Sequence, residues 1–191
     1  MTEAPQPVPQ STPVTWAKVA RRIRIPLGFL SGIAYVVLAH PSWTSLIAGT
    51  LIIIPGLLLR GIASGHVQKD KQLTTSGPYA FTRNPLYLGS LMMGIGFAVA
   101  ARSWWIVIVI VLTFALIYAP VIAGEERYLR QTFPEYDDYA RYVPRLLPRL
   151  TPYRSEQSAY SSARYWKHRE YQASIGCAVM LAILIAKLVI H

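Results

Sequence analysis

Charged residues are scarce in this chain. Only 15% of its 191 residues are Asp, Glu, Lys or Arg, whereas 53% are hydrophobic. That balance is too apolar for an ordinary soluble domain of this length. Cysteine is almost absent as well, because Cys177 is the only one. A lone cysteine excludes an intrachain disulfide and a two-cysteine redox motif, and its place in an apolar run predicts a small buried side chain.

The hydrophobic residues come in blocks of about membrane length. The block at 43–63 is interrupted only by Pro55 and Arg60, and at about 1.5 Å per residue it reaches about 31 Å. We therefore predict an all-α integral membrane protein, a bundle of about five transmembrane helices at residues 25–40, 43–63, 86–101, 103–123 and 172–190. Small residues recur four apart and predict close helix packing. They are Gly28 and Gly32, Gly61 and Gly65, and Ser90, Gly94 and Ala98.

Acidic residues are few, 9 against 19 basic ones, which leaves a net charge of +10. Such an excess is compatible with nucleic-acid binding, but its distribution argues against that partner. With five spans, seventeen basic residues fall on one side of the membrane and only Arg102 and Lys187 on the other. The positive-inside rule then predicts a cytoplasmic N-terminus and an external C-terminus, in a bacterial inner membrane or the endoplasmic reticulum. The excess basic charge is therefore predicted to orient the protein in the membrane and to contact anionic lipid headgroups. No nucleic-acid partner is predicted.

The chain divides into three predicted regions. Residues 1–15 are rich in proline, glutamine, serine and threonine, which is typical of a disordered tail. Residues 16–171 form the membrane core with cytoplasmic interfacial helices, and residues 172–191 add a C-terminal transmembrane helix of open role. The external connections are minimal, so any chemistry belongs on the cytoplasmic face.

A short cytoplasmic helix is predicted near residues 135–143. Tyr136, Tyr139 and Tyr142 lie three apart and share one face of it. Two placements are open. The rings lie either at the membrane interface or in a small cytoplasmic cap packed on the bundle.

The stretch from Gly77 to Gly89 combines turn residues with a helix start. Asn84 precedes Pro85, so its backbone is pushed away from helical geometry, and proline suits the first position of a helix. Asn84 is therefore a predicted N-cap, and the positive end of the third span is available to an anionic group beside Arg83. Tyr87 follows within the first turn. Upstream, Tyr79 lies in a turn and is either a stacking surface for a planar base or an interfacial tyrosine.

Glu125 and Glu126 end the fourth predicted span. The short link between the third and fourth spans implies an antiparallel hairpin, which brings these carboxylates near Arg83 and Asn84. A carboxylate facing a helix N-terminus suits a ligand with positive and negative groups. S-adenosylmethionine is one such molecule, although spacing alone does not select it.

These residues carry a family resemblance. Lys71 to Tyr79, Arg83 to Gly89, and Glu125-Glu126 followed by Phe133 and Tyr136 resemble the isoprenylcysteine carboxyl methyltransferases and their relatives, the phospholipid N-methyltransferases. The similarity covers about residues 43–150. It implies an S-adenosylmethionine-dependent membrane enzyme that is not of the Rossmann type. Its lipid or lipidated substrate enters from the bilayer and its cofactor from the cytosol.

The resemblance also implies site residues. The cofactor-binding set is Lys71, Gln72, Leu73, Thr74, Tyr79, Asn84, Pro85, Leu86, Tyr87 and Glu125, and the predicted catalytic residues are Arg83, Glu125 and Glu126. Glu126 is the candidate general base for an amine acceptor. No metal site is predicted, and the oligomeric state is open.

The methyl acceptor remains open between two classes. The main prediction is carboxyl O-methylation, as in the isoprenylcysteine enzymes, and the alternative is N-methylation of an ethanolamine phospholipid. The isoprenylcysteine enzymes carry histidine where this chain has Lys71 and Asn84, and an arginine for the substrate carboxylate where it has Val121. Asparagine before proline is more similar to the phospholipid branch. A small membrane scaffold or carrier is the non-enzymatic alternative.

Overall fold

A computed structural model describes residues 22, 30, 32–68, 72–153 and 159–190. Every regular element among these residues is helical and none is a strand, which confirms the all-α prediction. The elements are α1 (32–38), α2 (Trp43–His66), a 3₁₀ turn (Gly77–Ala80), α3 (Pro85–Ala101), α4 (Trp104–Thr113), a π-helical segment (Phe114–Tyr118), α5 (Ala119–Thr132), α6 (Tyr136–Tyr142), α7 (Ser162–Lys167) and α8 (Tyr171–Ile190). The predicted tail, 1–15, lies outside the described residues, and so do residues 25–29 and 31 of the first predicted span, 25–40.

Three of the described helices have the length and apolar composition to cross a membrane. They are α2, the continuous helix Trp104–Thr132, and α8. Helix α3, with 17 residues, is apolar but shorter. The continuous helix has 29 residues, or about 43 Å, and so exceeds a hydrocarbon core of about 30 Å. The helix of the fourth span, which was predicted to end at residue 123, therefore continues to Thr132.

The continuous helix changes its winding at the π segment. Pro120 lies just beyond that segment and has no N–H to donate to the carbonyl four residues back. A single π turn accommodates such an interruption while the helix continues. The π turn also sets the direction in which Phe114 and Tyr118 project.

Helices α2 and α3 are in close contact through glycines. A Cβ added at Gly96 would lie 2.6 Å from the carbonyl oxygen of Gly49, and one at Gly56 would lie 2.8 Å from that of Gly89. These glycines are seven residues apart on each helix. The backbones therefore meet along one line, which differs from the small-residue pairs predicted four apart.

We expect Gly96→Ala to destabilise the protein by about 1–3 kcal/mol, because the methyl group overlaps backbone that cannot move aside. In a helix without such a contact, alanine is more favourable than glycine. A loss of stability in Gly96→Ala would therefore report the close contact. Gly176→Ala, on α8, meets nothing within 4 Å and is the matched control. Thermal unfolding in detergent should show a lower midpoint for Gly96→Ala only. Equal midpoints for the two variants would contradict the close α2–α3 contact.

Helix α8 packs on α2 and on the end of α1. Leu184 is fully buried in a core that includes Tyr35 and Leu46, and the Lys187 ammonium donates to the carbonyl of Ala39 at 2.7 Å. At the other end, Arg60 on α2 pairs with Glu170 at 2.5 Å. Cys177 is buried, as predicted.

Helix α6 confirms the short helix predicted near 135–143. Tyr136 and Tyr139 are buried against Tyr153, whereas Tyr142 is exposed. The first two rings are therefore packed in a protein cap, as in the second alternative, and the cytoplasmic location of that cap stays a prediction. Residues 144–153, here called the strap, follow α6 and run back along the segment before α3.

Candidate active site

The segment before α3 is shaped by a tight turn and by the strap. Gly77 opens the 3₁₀ turn at φ +58°, where a Cβ would lie 2.6 Å from the His66 ring. The Arg83 amide donates a hydrogen bond to the carbonyl of Pro144 in the strap. In the other direction, the backbone amides of Arg149 and Tyr153 donate to the carbonyls of Phe81 and Ala80. Each of these three hydrogen bonds measures 2.9 Å. The strap thus fixes the residues that lead into the helix.

Asn84 occupies the N-cap position of α3, as predicted, and Pro85 is the first helical residue. The backbone angles of Asn84, φ −128° and ψ 57°, lie outside the helical region. Its side chain, however, makes no capping hydrogen bond. The amide donates instead to Glu126 Oε1 at 3.2 Å and to the Arg145 carbonyl at 2.9 Å. The first turn of α3 therefore has no side-chain cap, and its positive end is left for another group.

Glu126 is the centre of a buried polar network. Glu126 is only 4% exposed, and both of its carboxylate oxygens accept hydrogen bonds. Oε1 accepts from Asn84 and lies 3.5 Å from Arg83 Nη2, while Oε2 accepts from Arg145 Nη2 at 2.6 Å and Nε at 2.9 Å. Ionic hydrogen bonds of this kind stabilise a buried carboxylate. The network joins α5, the start of α3 and the strap.

Glu125 points in another direction and is exposed. It accepts a hydrogen bond of 2.9 Å from the Tyr87 hydroxyl. The Tyr87 ring meets Tyr118 edge-on at 5.7 Å between centroids, and Tyr118 stacks on Phe114 at 5.8 Å. A carboxylate beside aromatic rings is a favourable environment for a cation. The predicted hairpin thus brings Glu125 and Glu126 to the start of α3.

The residues predicted upstream are spread more widely. Lys71 lies outside the described residues, and Gln72 is exposed. Leu73 packs on the buried tyrosines of α6, and the Thr74 hydroxyl accepts from the Gln68 amide at 3.2 Å. Their roles in cofactor binding stay predictions.

Two more predicted residues lie against neighbouring helices. The Leu86 carbonyl accepts from Arg60 at 3.2 Å. Tyr79 is buried, and its carbonyl accepts from the Tyr139 hydroxyl at 2.7 Å. Burial, and then the charges of Glu125 and Glu170, raise the pKa of Tyr79, so its hydroxyl stays protonated at neutral pH. The stacking role of Tyr79 stays a prediction.

Sequence reasoning missed three contributors to this region. Arg145 lies on the strap, and Phe114 and Tyr118 lie on the π segment. The only available signal for Arg145 was a basic residue between prolines, and Pro120 was the signal for the altered winding of the helix. Over the ranges that the structure describes, no group of three or more His, Cys, Asp or Glu side chains is placed to hold a metal ion.

Comparisons with known proteins match part of the chain to a family. Residues 57–136 match the family described as Phospholipid methyltransferase. The cobalt-zinc-cadmium resistance protein CzcN of Cupriavidus metallidurans is 34% identical over 135 residues, which cover 66% of this chain and 62% of that protein. The nickel-cobalt-cadmium resistance protein NccN of Alcaligenes xylosoxydans xylosoxydans is 40% identical over 91 residues, 48% of this chain and 43% of that protein.

A third relative is named for an enzymatic activity. The protein-S-isoprenylcysteine O-methyltransferase of Schizosaccharomyces pombe is 26% identical over 140 residues, which cover 70% of this chain and 59% of that protein. In each case the match spans less than two thirds of the relative's own length. No solved structure matches the chain significantly. The predicted resemblance is confirmed: residues 57–136 match the Phospholipid methyltransferase family, and a longer stretch is similar to the isoprenylcysteine enzyme of Schizosaccharomyces pombe.

Proposed function

We propose that this protein transfers a methyl group from S-adenosylmethionine to an acceptor dissolved in the lipid bilayer. The observation that carries the proposal is the pairing of an exposed carboxylate, Glu125, with the uncapped start of α3, joined by the Tyr87 hydroxyl at 2.9 Å. Family membership supports the reaction class. We further propose that this end of the bundle faces the cytosol, with the N-terminus on the same side.

The donor groups present fit the charges of S-adenosylmethionine. The first turn of α3 suits an anionic group, and Glu125 suits a cationic one, with the neighbouring rings of Tyr87 and Tyr118 adding to the attraction. S-adenosylmethionine, when bound, supplies an electrophilic methyl group. The protein's part is then to hold its reacting groups in line and to exclude water.

Glu126 and Arg83 are assigned a supporting part. Both oxygens of Glu126 accept hydrogen bonds or ion pairs, and the side chain is buried. The general-base role predicted for Glu126 stays a prediction. Glu125 is the exposed carboxylate beside the rings, and its proposed part is to hold the cationic group of the donor.

An amine acceptor is supported better by the geometry than a carboxylate. Val121, at the position where the isoprenylcysteine enzymes use arginine, is 2% exposed and packs with Ile117 and Tyr87. Arg83 and Arg145, which lie near the start of α3, are both paired with Glu126. Aromatic rings with a carboxylate favour an ammonium group. The relation to the fission yeast enzyme keeps carboxyl methylation as the second candidate.

The resistance proteins among the relatives raise a different possibility, a role connected with metal ions. Their names speak of resistance to cobalt, zinc, cadmium and nickel. The described part of this chain shows no cluster of metal-ligating side chains. We propose that any such connection acts through methylation of a membrane component.

The acceptor can be identified with a methyl-labelled donor. Membranes from cells with and without the protein would be incubated with labelled S-adenosylmethionine, and the extracted lipids treated with base. Methyl esters are cleaved by base, whereas N-methyl groups are retained. We expect base-stable label in ethanolamine lipids that depends on the protein. Base-labile label would select the carboxyl candidate. No protein-dependent label, with an ethanolamine lipid and a prenylcysteine both supplied, would contradict methyl transfer to either class.

A further inference from the structure

The strap presents hydrophobic side chains to its surroundings. Leu147 is 76% exposed and Leu150 is 98% exposed, and neither packs on the bundle. Basic residues alternate with them, since Arg145 and Arg149 lie on the strap and Arg141 lies one turn before it on α6. Two leucines this exposed, three residues apart, form a small apolar patch that is better covered by an apolar phase than by water.

The strap lies beside the start of α3, an apolar helix of nearly membrane length. It is hydrogen-bonded to residues 80–84, which immediately precede α3. Helix α3 has 17 residues and spans about 26 Å, less than the hydrocarbon thickness of about 30 Å. A helix of this length that lies across the bilayer has both ends, its first residue included, close to the boundary of the hydrocarbon core. A segment held beside that residue is at the level of the lipid headgroups.

The charges near the strap favour an anionic surface. Arg149 donates to the Tyr142 carbonyl and to the Thr151 hydroxyl, and it has no carboxylate partner among the described residues. Arg141 has only a solvent-exposed contact of 3.4 Å with Asp138. Such a contact is weak, so Arg141 can reach headgroup phosphates. Arg145 is held by Glu126 and contributes less.

We propose that the strap is a membrane-surface anchor that binds the anionic headgroup layer of the bilayer in which the protein is embedded. Leu147 and Leu150 insert among the upper acyl carbons, and Arg141 and Arg149 contact lipid phosphates. The same strap holds the start of α3 through Arg145 and the Asn84 amide. Lipid binding at the strap therefore orders the candidate active site. The anchor itself does not depend on the reaction proposed above.

The anchor can be tested with a fluorescent probe on the full chain. Leu150→Cys, in a Cys177→Ser background, carries an environment-sensitive label, and Glu135→Cys, at the exposed turn before α6, carries the same label as the control. Both proteins are placed in nanodiscs of phosphatidylcholine with and without phosphatidylglycerol. Nitroxide-labelled lipid should quench the label at position 150, and iodide in solution should quench the label at position 135. Hydrogen exchange of the unsubstituted chain should show residues 144–153 protected by phosphatidylglycerol.

Charge removal gives the second measurement. Each basic side chain near an anionic surface contributes about fivefold to binding. We therefore expect Arg141→Gln and Arg149→Gln each to lower the preference of the strap for phosphatidylglycerol by about fivefold. Iodide quenching at position 150 as strong as at position 135, with no effect of the anionic lipid, would overturn the proposal. Shielding of position 150 that instead rises with protein concentration in detergent would also overturn it, in favour of contact between copies of the chain.

Discussion

Glu126→Ala is expected to lower the stability of the protein by about 3–5 kcal/mol, because it removes one partner of a buried ion pair and leaves the others uncompensated. Arg83 would lose its counter-charge, and Asn84 and Arg145 would lose the acceptor that joins them. The expected result is a large decrease in the resistance of the detergent-solubilised protein to unfolding by sodium dodecyl sulfate.

The neighbouring carboxylate provides the control for this experiment. Glu125→Ala removes an exposed group that accepts a hydrogen bond from the Tyr87 hydroxyl, so we expect a change within about 1 kcal/mol. If both substitutions destabilise the protein equally, the buried network is not the connection between α3, α5 and the strap that its geometry indicates.

Glu125→Gln is expected to weaken binding of the methyl donor about tenfold to a hundredfold, while the fold is retained. The substitution keeps the size of the side chain and removes its charge. A charge-assisted hydrogen bond contributes about 1.5–3 kcal/mol, and this range gives the expected factor. The measurement is competition of S-adenosylhomocysteine against labelled donor in the purified protein.

Two further variants sharpen that result. Tyr87→Phe removes the hydroxyl that orients Glu125 and should weaken donor binding by less, about fivefold to tenfold. Glu135→Gln changes an exposed carboxylate in the turn before α6 and should leave donor binding unchanged. Equal donor affinity in Glu125→Gln and in the unsubstituted protein would remove Glu125 from the binding site.

Much of this site follows from local rules that operate within a few residues. Proline after Asn84 fixes both the start of α3 and the non-helical backbone before it, so the position of that helix end could be predicted. The short link between α3 and α4 could only give an antiparallel hairpin, which placed the two glutamates near Asn84. These are steric consequences of the sequence itself.

The division of labour between the two glutamates could not be predicted. Adjacent residues on a helix point about 100° apart, so the two glutamates face different directions, but the sequence does not say which of them faces inward. The choice depends on Arg145, about twenty residues further along, whose approach requires the strap to fold back along residues 80–84. Long-range contacts of this kind have no signature in spacing.

The contact between α2 and α3 illustrates the same limit. Small residues four apart were predicted to pack, whereas the observed line uses glycines seven apart on each helix. Both periods place small residues on one face of a helix. Which face meets a neighbour depends on the crossing of the two helices, and that is settled by the whole bundle.

Binding of S-adenosylhomocysteine to the purified, unsubstituted chain is the most direct test of the central claim. Titration calorimetry in detergent, on protein whose folded state is verified by thermal unfolding, measures binding without knowledge of the acceptor. Our account predicts saturable binding to a single site. Folded protein that gives no binding signal at the highest attainable ligand concentration would contradict it.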